Sequence, residues 1–161
     1  MKTIVVLICI FCSICIYAQK ITLNDLYATC GMKEADFTAY FINKGLQMGH
    51  RSGLDNPLPE FYGENGDVST FSNGVVNHHT PPEYSDEIAG VIRKTCTLLD
   101  RSTSQDAMRN EICLDETFKL ITSTRKYGIE IHQCESFISI MIFPYDHFLF
   151  QRELNSIEEK K

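Results

Sequence analysis

The chain has 161 residues, of which 43% are hydrophobic and 22% charged, enough for one domain with a core of its own. Acidic residues outnumber basic ones, 21 to 15, giving a net charge of -6. That balance argues against nucleic acid or anionic membranes as partners, since proteins approach both with clustered Lys and Arg.

The predicted elements begin with an export signal over residues 1–18. Lys2 supplies a positive start, an apolar run from Ile4 to Ile16 is broken only by Ser13, and Ala18 is the small residue before the cut. The run falls short of the roughly 20 apolar residues of a spanning helix, and 137–143 is shorter still. The expectation is a secreted, extracellular protein. It has no membrane insertion after cleavage and one domain over residues 19–161. Loss of Lys2 leaves 14 basic against 21 acidic residues, a net charge near -7.

Three cysteines (Cys9, Cys12, Cys15) depart with the signal. Cys30, Cys96, Cys113 and Cys134 remain, an even number that reads as two disulfides in an exported chain. Three pairings are open. No two of the four have the C-x2-C spacing of a metal site.

Helices dominate the reading of the mature chain. Thr22 and Asp25 have capping-box form, with Leu23, Leu26, Tyr27 and Cys30 at helical spacing. Glu34 to Asp36 open a second helix that runs to about Leu46, with Gly49 as its stop. Residues 49–80 hold five glycines, two prolines and the pairs Asn65-Gly66 and Asn73-Gly74, and read as a long connection. A hairpin at those pairs is the minor alternative.

Thr80 with Pro81 starts the next helix, whose stripe is Ile88, Val91, Ile92, Thr95 and Leu99. Ser104 caps another, with Met108, Ile112, Asp115, Phe118 and Ile121 at threes and fours up to about Thr124. A last helix covers 130–141 through Ile131, Cys134, Phe137, Ile138 and Met141. A buried strand over 137–143 is the alternative there, set aside because no partner strand is evident. Pro144 ends the segment, and Phe148, Leu149 and Phe150 form an apolar tail. No Asn-x-Ser/Thr acceptor occurs.

No motif for catalysis stands out, so the protein is expected not to be an enzyme and to need no cofactor. His78-His79 is the nearest approach to a metal pair, but adjacent residues point apart in regular structure. No G-x-S-x-G elbow and no phosphate-cradling loop is present. His132 and His147 flank the last apolar segment and are candidates for a pH response. The aromatic content, ten phenylalanines and seven tyrosines without tryptophan, exceeds what a small core explains. Phe148 to Phe150 would cover something, and an apolar pocket is where small ligands bind.

Four stretches resemble the insect odorant-binding proteins. Cys30-Gly-Met-Lys-Glu-Ala-Asp-Phe is similar to the first-cysteine segment of that family, and residues 62–69 to its Glu-Asn-Gly loop. Residues 81–96 resemble its Pro-led helix ending in cysteine. Cys134, Pro144 and Phe148 to Phe150 resemble its last cysteine and tail. The cysteine set is reduced: the family has two cysteines separated by three residues, where Phe41 and Gly45 stand here.

The resemblance implies an all-α bundle of five to six helices around an apolar cavity, stapled by disulfides. The family's own pairing does not carry over to this reduced cysteine set; Cys96–Cys134 with Cys30–Cys113 is the pairing that would tie the helices together. The resemblance also implies non-catalytic carriage of a small hydrophobic ligand such as an odorant, pheromone or lipid, with a membrane receptor as a candidate partner. Phe118, Ile121, Phe137, Met141, Phe148 and Phe150 are the expected lining. The alternative function is a secreted helical venom or immune effector acting through protein contacts. A second rival is a small hydrolase using His78 and His79.

Overall fold

The computed structural model describes residues 20–50 and 58–149. The expected signal, residues 1–18, and Phe150 lie outside them. The architecture is a two-layer α+β arrangement, so the all-α bundle is corrected: eight antiparallel strands form one sheet in the order β1-β2-β3-β4-β8-β7-β6-β5. The strands are β1 Gln47–His50, β2 Pro59–Tyr62, β3 Val68–Ser72, β4 Val75–Thr80, β5 Thr97–Asp106, β6 Glu111–Ile121, β7 Lys126–Gln133 and β8 Ile138–Pro144. Two four-strand meanders thus meet where β4 pairs with β8. The connection between them runs through a 3-10 turn, Pro82–Tyr84, and a helix.

The described helices are α1 Leu23–Thr29, α2 Glu34–Asn43 and α3 Ser85–Thr95, with a helical turn over residues 145–149 after β8. The expected capping box holds at α1: Thr22 and Asp25 bond reciprocally. The same Asp25 carboxylate accepts from Tyr40 at 2.8 Å and pairs with Lys44, tying α1 to α2. Burial works to raise its pKa, yet Lys44 and then Thr22 and Tyr40 hold it below the usual carboxylate value. α2 stops well before Gly49. Gly45, at φ 80°, closes a Schellman turn in which Gly45 donates to Ile42 and Leu46 to Phe41.

The long connection expected over 49–80 is mostly sheet. Asn73 (φ 51°) and Gly74 (φ 83°) form the two-residue turn that joins β3 to β4, a conformation whose twist suits a hairpin. The minor alternative therefore prevails, because positive φ at two successive positions is cheap for Asn-Gly. Residues 104–124 and 130–141, expected as helices, are instead the end of β5 with β6, and β7 with the start of β8. Their true period is two. Tyr127, Ile129 and Ile131 alternate on β7, and Ile138, Ile140 and Ile142 on β8, all facing the helices.

That helix-facing side is the core. Phe61, Phe71, Val76, Phe118 and the isoleucines of β7 and β8 pack against Leu26, Phe37, Phe41, Ile88 and Ile92. Phe37 stacks on Phe71 at 4.7 Å and meets Phe41 edge-on at 4.9 Å. A paired charge sits inside as well: Glu116 on β6, fully buried, accepts from Arg93 of α3 at 2.6 Å and from Arg101 of β5 at 2.6 Å. Arg93 also donates to Gln133 at 2.5 Å. These four residues bind α3 across β5, β6 and β7. Arg93→Leu is expected to cost about 2 kcal/mol in urea unfolding, because a buried carboxylate loses one of two cations. An unchanged unfolding midpoint would contradict that role.

The sulfur pairing also differs from the expected one. Cys113 and Cys134 are bonded to each other, with Cα atoms 4.3 Å apart on neighbouring strands. The Leu114–Gln133 register places them directly opposite one another, which brings their sulfurs within bonding reach. By loop closure this bond contributes roughly 3 kcal/mol. Cys30 and Cys96 are thiols.

Candidate functional site

Five of the six residues expected to line one cavity lie among the described residues, and these five do not converge. Phe118 is buried against the helices. Ile121 ends β6 half-exposed, and Phe148 is buried over Gly128 on the opposite side of the sheet. Phe137 lies in the turn between β7 and β8, with its ring 5.6 Å from that of His132 and Arg109 stacked on it at 4.2 Å. Of these five, Met141 alone lines the cavity that opens on the sheet.

That cavity, of about 250 Å³, opens on the sheet face away from the helices. Its walls are Asp115 and Thr117 of β6, Glu130 and His132 of β7 and Met141 of β8, with Glu116 and Ile131 completing the floor through their strands. Cross-strand pairing builds it: Asp115 is opposite His132, Thr117 opposite Glu130, and Glu130 opposite Met141. The face is half-exposed here because α1, α2 and α3 pack on the other side of the sheet and the helical turn over residues 145–149 covers only the stretch around Gly128, and its side chains are polar at nearly every alternate position. Ser139, next to His132 in register, donates to Asn77 at 3.0 Å.

At one end of the cavity the chemistry-bearing groups gather. His132 Nδ1 lies 2.5 Å from Asp115 Oδ1, and its Nε2 lies 3.2 Å from Cys134 Sγ. Cys113, His132 and Cys134 have ligand atoms all within 4.8 Å of one another. Ser136 donates to Glu111 through both its backbone N–H (3.1 Å) and its hydroxyl (3.0 Å), which fixes the β7–β8 turn beside this group. The sequence holds a signal for it: Cys113-x-Asp115-x-Thr117 and Glu130-x-His132-x-Cys134 each alternate on one strand face. A helical reading of both segments disperses those residues.

His78 and His79 separate as expected for neighbours on a strand. His78 is buried on the core side, where Ser69 Oγ meets its Nδ1 at 2.9 Å and Asp67 lies 3.8 Å from its Nε2. Ser, His and Asp thus adjoin, but all three are inaccessible. Burial, with the neighbouring His79 charge adding to it, pushes the His78 pKa down to about 3. Burial also raises that of Asp67. The group is a buried core cluster with a neutral imidazole, and no substrate reaches it. Cys30 is equally unsuited to chemistry, since burial pushes its thiol up to about 12.

No protein-family model, curated protein or solved structure matches the chain. The bundle that the odorant-binding resemblance implied is not the fold found. By fold and site the protein is an α+β domain with one helix-covered sheet face and one open face bearing a small cavity.

Proposed function

We propose that the protein is a secreted, non-catalytic binding protein for a small, largely apolar ligand that carries one cationic group. The observation that carries this reading is the cavity on the open face. Met141 offers it an apolar wall, while Asp115 and Glu130 bring two carboxylates to its rim. At about 250 Å³ it falls below the roughly 300–1,000 Å³ of drug-sized sites, so the ligand is small, of the size of an aromatic amine. Apolar burial supplies affinity at about 25 cal/mol per Å2, and the carboxylates orient the cation. The negative balance of the whole chain favours approach of such a ligand. Export itself rests on residues 1–18; a cross-strand disulfide suits the oxidising compartment that export leads to.

The test is calorimetric titration with three matched probes: 2-phenylethylamine, 2-phenylethanol and 3-phenylpropanoate. The amine is expected to bind saturably and about tenfold more tightly than the alcohol, the carboxylate not measurably. Glu130→Gln should remove that tenfold preference, worth about 1.4 kcal/mol, and Met141→Asp should weaken amine and alcohol alike. Equal affinity for amine and alcohol, or no saturable binding to any probe, would sink this reading.

A further inference from the structure

Beyond ligand carriage, we infer that Cys113, Cys134 and His132 form a three-ligand zinc site once the Cys113–Cys134 disulfide is reduced. The donor set is two sulfurs and one imidazole nitrogen, all within 4.8 Å of one another. That soft composition selects zinc over calcium or magnesium, which take oxygen ligands. The imidazole is already oriented for ligation. Its Nδ1–H donates to Asp115 at 2.5 Å, which leaves the Nε2 lone pair directed at Cys134 Sγ, 3.2 Å away.

A disulfide sulfur has no proton to give, so in the oxidised protein that lone pair faces an atom that cannot donate to it. A carboxylate behind a histidine whose far nitrogen faces the metal position is the arrangement that raises ligand basicity in zinc sites. The ligands come from facing positions on β6 and β7 and from the residue just past β7. Linear C-x2-C spacing therefore does not reveal them.

The chemistry balances in two steps. A small dithiol reductant attacks the disulfide, delivers two electrons, leaves as a cyclic disulfide and passes its two protons to Cys113 and Cys134. Zinc then displaces those two protons, forming two Zn–S bonds and one Zn–N bond to neutral His132. Zinc–sulfur bonds of about 2.3 Å require the sulfurs to stand roughly 3.8 Å apart in a tetrahedron. Rotation about χ1 of two directly opposed cysteines supplies that separation. His132 is only partly buried and also lines the cavity on the open face, so the site adjoins that cavity.

The experiment adds Co2+ to the mature chain, residues 19–161 and so without Cys9, Cys12 and Cys15, carrying Cys30→Ser and Cys96→Ser, after reduction by a dithiol whose excess is then removed. Circular dichroism is recorded alongside. One equivalent of Co2+ should bind, with thiolate-to-cobalt charge-transfer absorption and the intense visible bands of a tetrahedral site, and zinc should bleach them. The oxidised protein should show neither. Cys134→Ser, which lacks the disulfide just as the reduced protein does, should lose the charge-transfer bands.

His132→Ala should shift the visible bands and weaken binding at least tenfold. Asp115→Asn should weaken it about tenfold with the bands unmoved, since outer-shell partners tune affinity without changing the ligand set. The inference is overturned if the reduced protein gives no such bands or if Cys134→Ser retains them. It is equally overturned if His132→Ala binds as the parent does, or if reduction abolishes the strand signal, because the site then has no sheet to hold it.

Discussion

Gly128→Ala is expected to destabilise the protein by about 3 kcal/mol, a large effect for a single methyl group. Gly128 lies on β7 opposite Phe143, and its backbone is ordinary, so the demand is for space. A Cβ there would stand 2.0 Å from Cγ of Phe148 and 2.5 Å from its Cβ. Those atoms are not the yielding tip of a chain. They belong to a ring that is buried and held between Phe143 and Tyr145, in a helical turn over residues 145–149.

Admitting the methyl group means expelling the ring, and expulsion forfeits what removal of a buried phenylalanine forfeits, about 3–5 kcal/mol. Urea unfolding of Gly128→Ala, Phe148→Ala and the double variant measures it. The Gly128→Ala penalty should nearly vanish once Phe148 is already alanine. Additive penalties would show that the two positions do not meet. Phe148 thus has a covering role, over a glycine-lined notch in the sheet.

The second large effect is a loss of stability in mild acid traced to one side chain. His78 is buried in the folded protein with its pKa near 3, against about 6.5 when unfolded. Between those values the unfolded chain binds a proton that the native chain refuses. Stability from this group is therefore fully present above about pH 6.5 and falls as pH falls through the window. The slope reaches about 1.4 kcal/mol per pH unit, so about 2 kcal/mol is lost by pH 5.

Asp67 acts in the opposite sense. Its pKa is raised by burial, so the native state holds a proton more readily and gains stability as pH falls toward its unfolded value near 4. That gain offsets the loss at the acid end. Urea midpoints at pH 7.5, 6 and 5 should decline in the parent and stay nearly level in His78→Gln, which keeps a partner for Ser69. Parallel declines in both proteins would assign the acid sensitivity elsewhere.

The reason the fold is only partly legible lies in particular residues. Glu116 interrupts the inward alternation Leu114, Glu116, Phe118, Leu120 with a charge, and its two arginine partners are 15 and 23 positions away. Without them β6 does not read as a strand. β5 is exposed along nearly its whole length as a sheet edge, so its sequence Thr-Leu-Leu-Asp-Arg-Ser-Thr-Ser-Gln-Asp carries no hydrophobic period of either kind. On β8 the run Ile-Ser-Ile-Met-Ile-Phe is apolar towards both faces, and a short apolar run fits helix or strand equally until a neighbour is known.

The candidate site is hidden for the same reason. Cys113, Asp115, His132 and Cys134 each stand out as residues, but the two strands that unite them have the local spacing of helices.

The sequence by itself determined what depends on neighbours along the chain. The Thr22–Asp25 box and the existence of the helices near 23–29, 34–43 and 85–95 follow from bonds within a few residues. The expected second and third helices nevertheless run on to Leu46 and to Leu99, which lies in β5, and the Asn73-Gly74 hairpin is legible only as the minor alternative. Tertiary structure alone decided the eight-strand sheet, the Cys113–Cys134 bond and the cavity beside His132. Each of these needs backbone groups far apart in sequence to pair in one register. Such pairing is selected by the burial of a whole face, and no window of local residues contains that free energy.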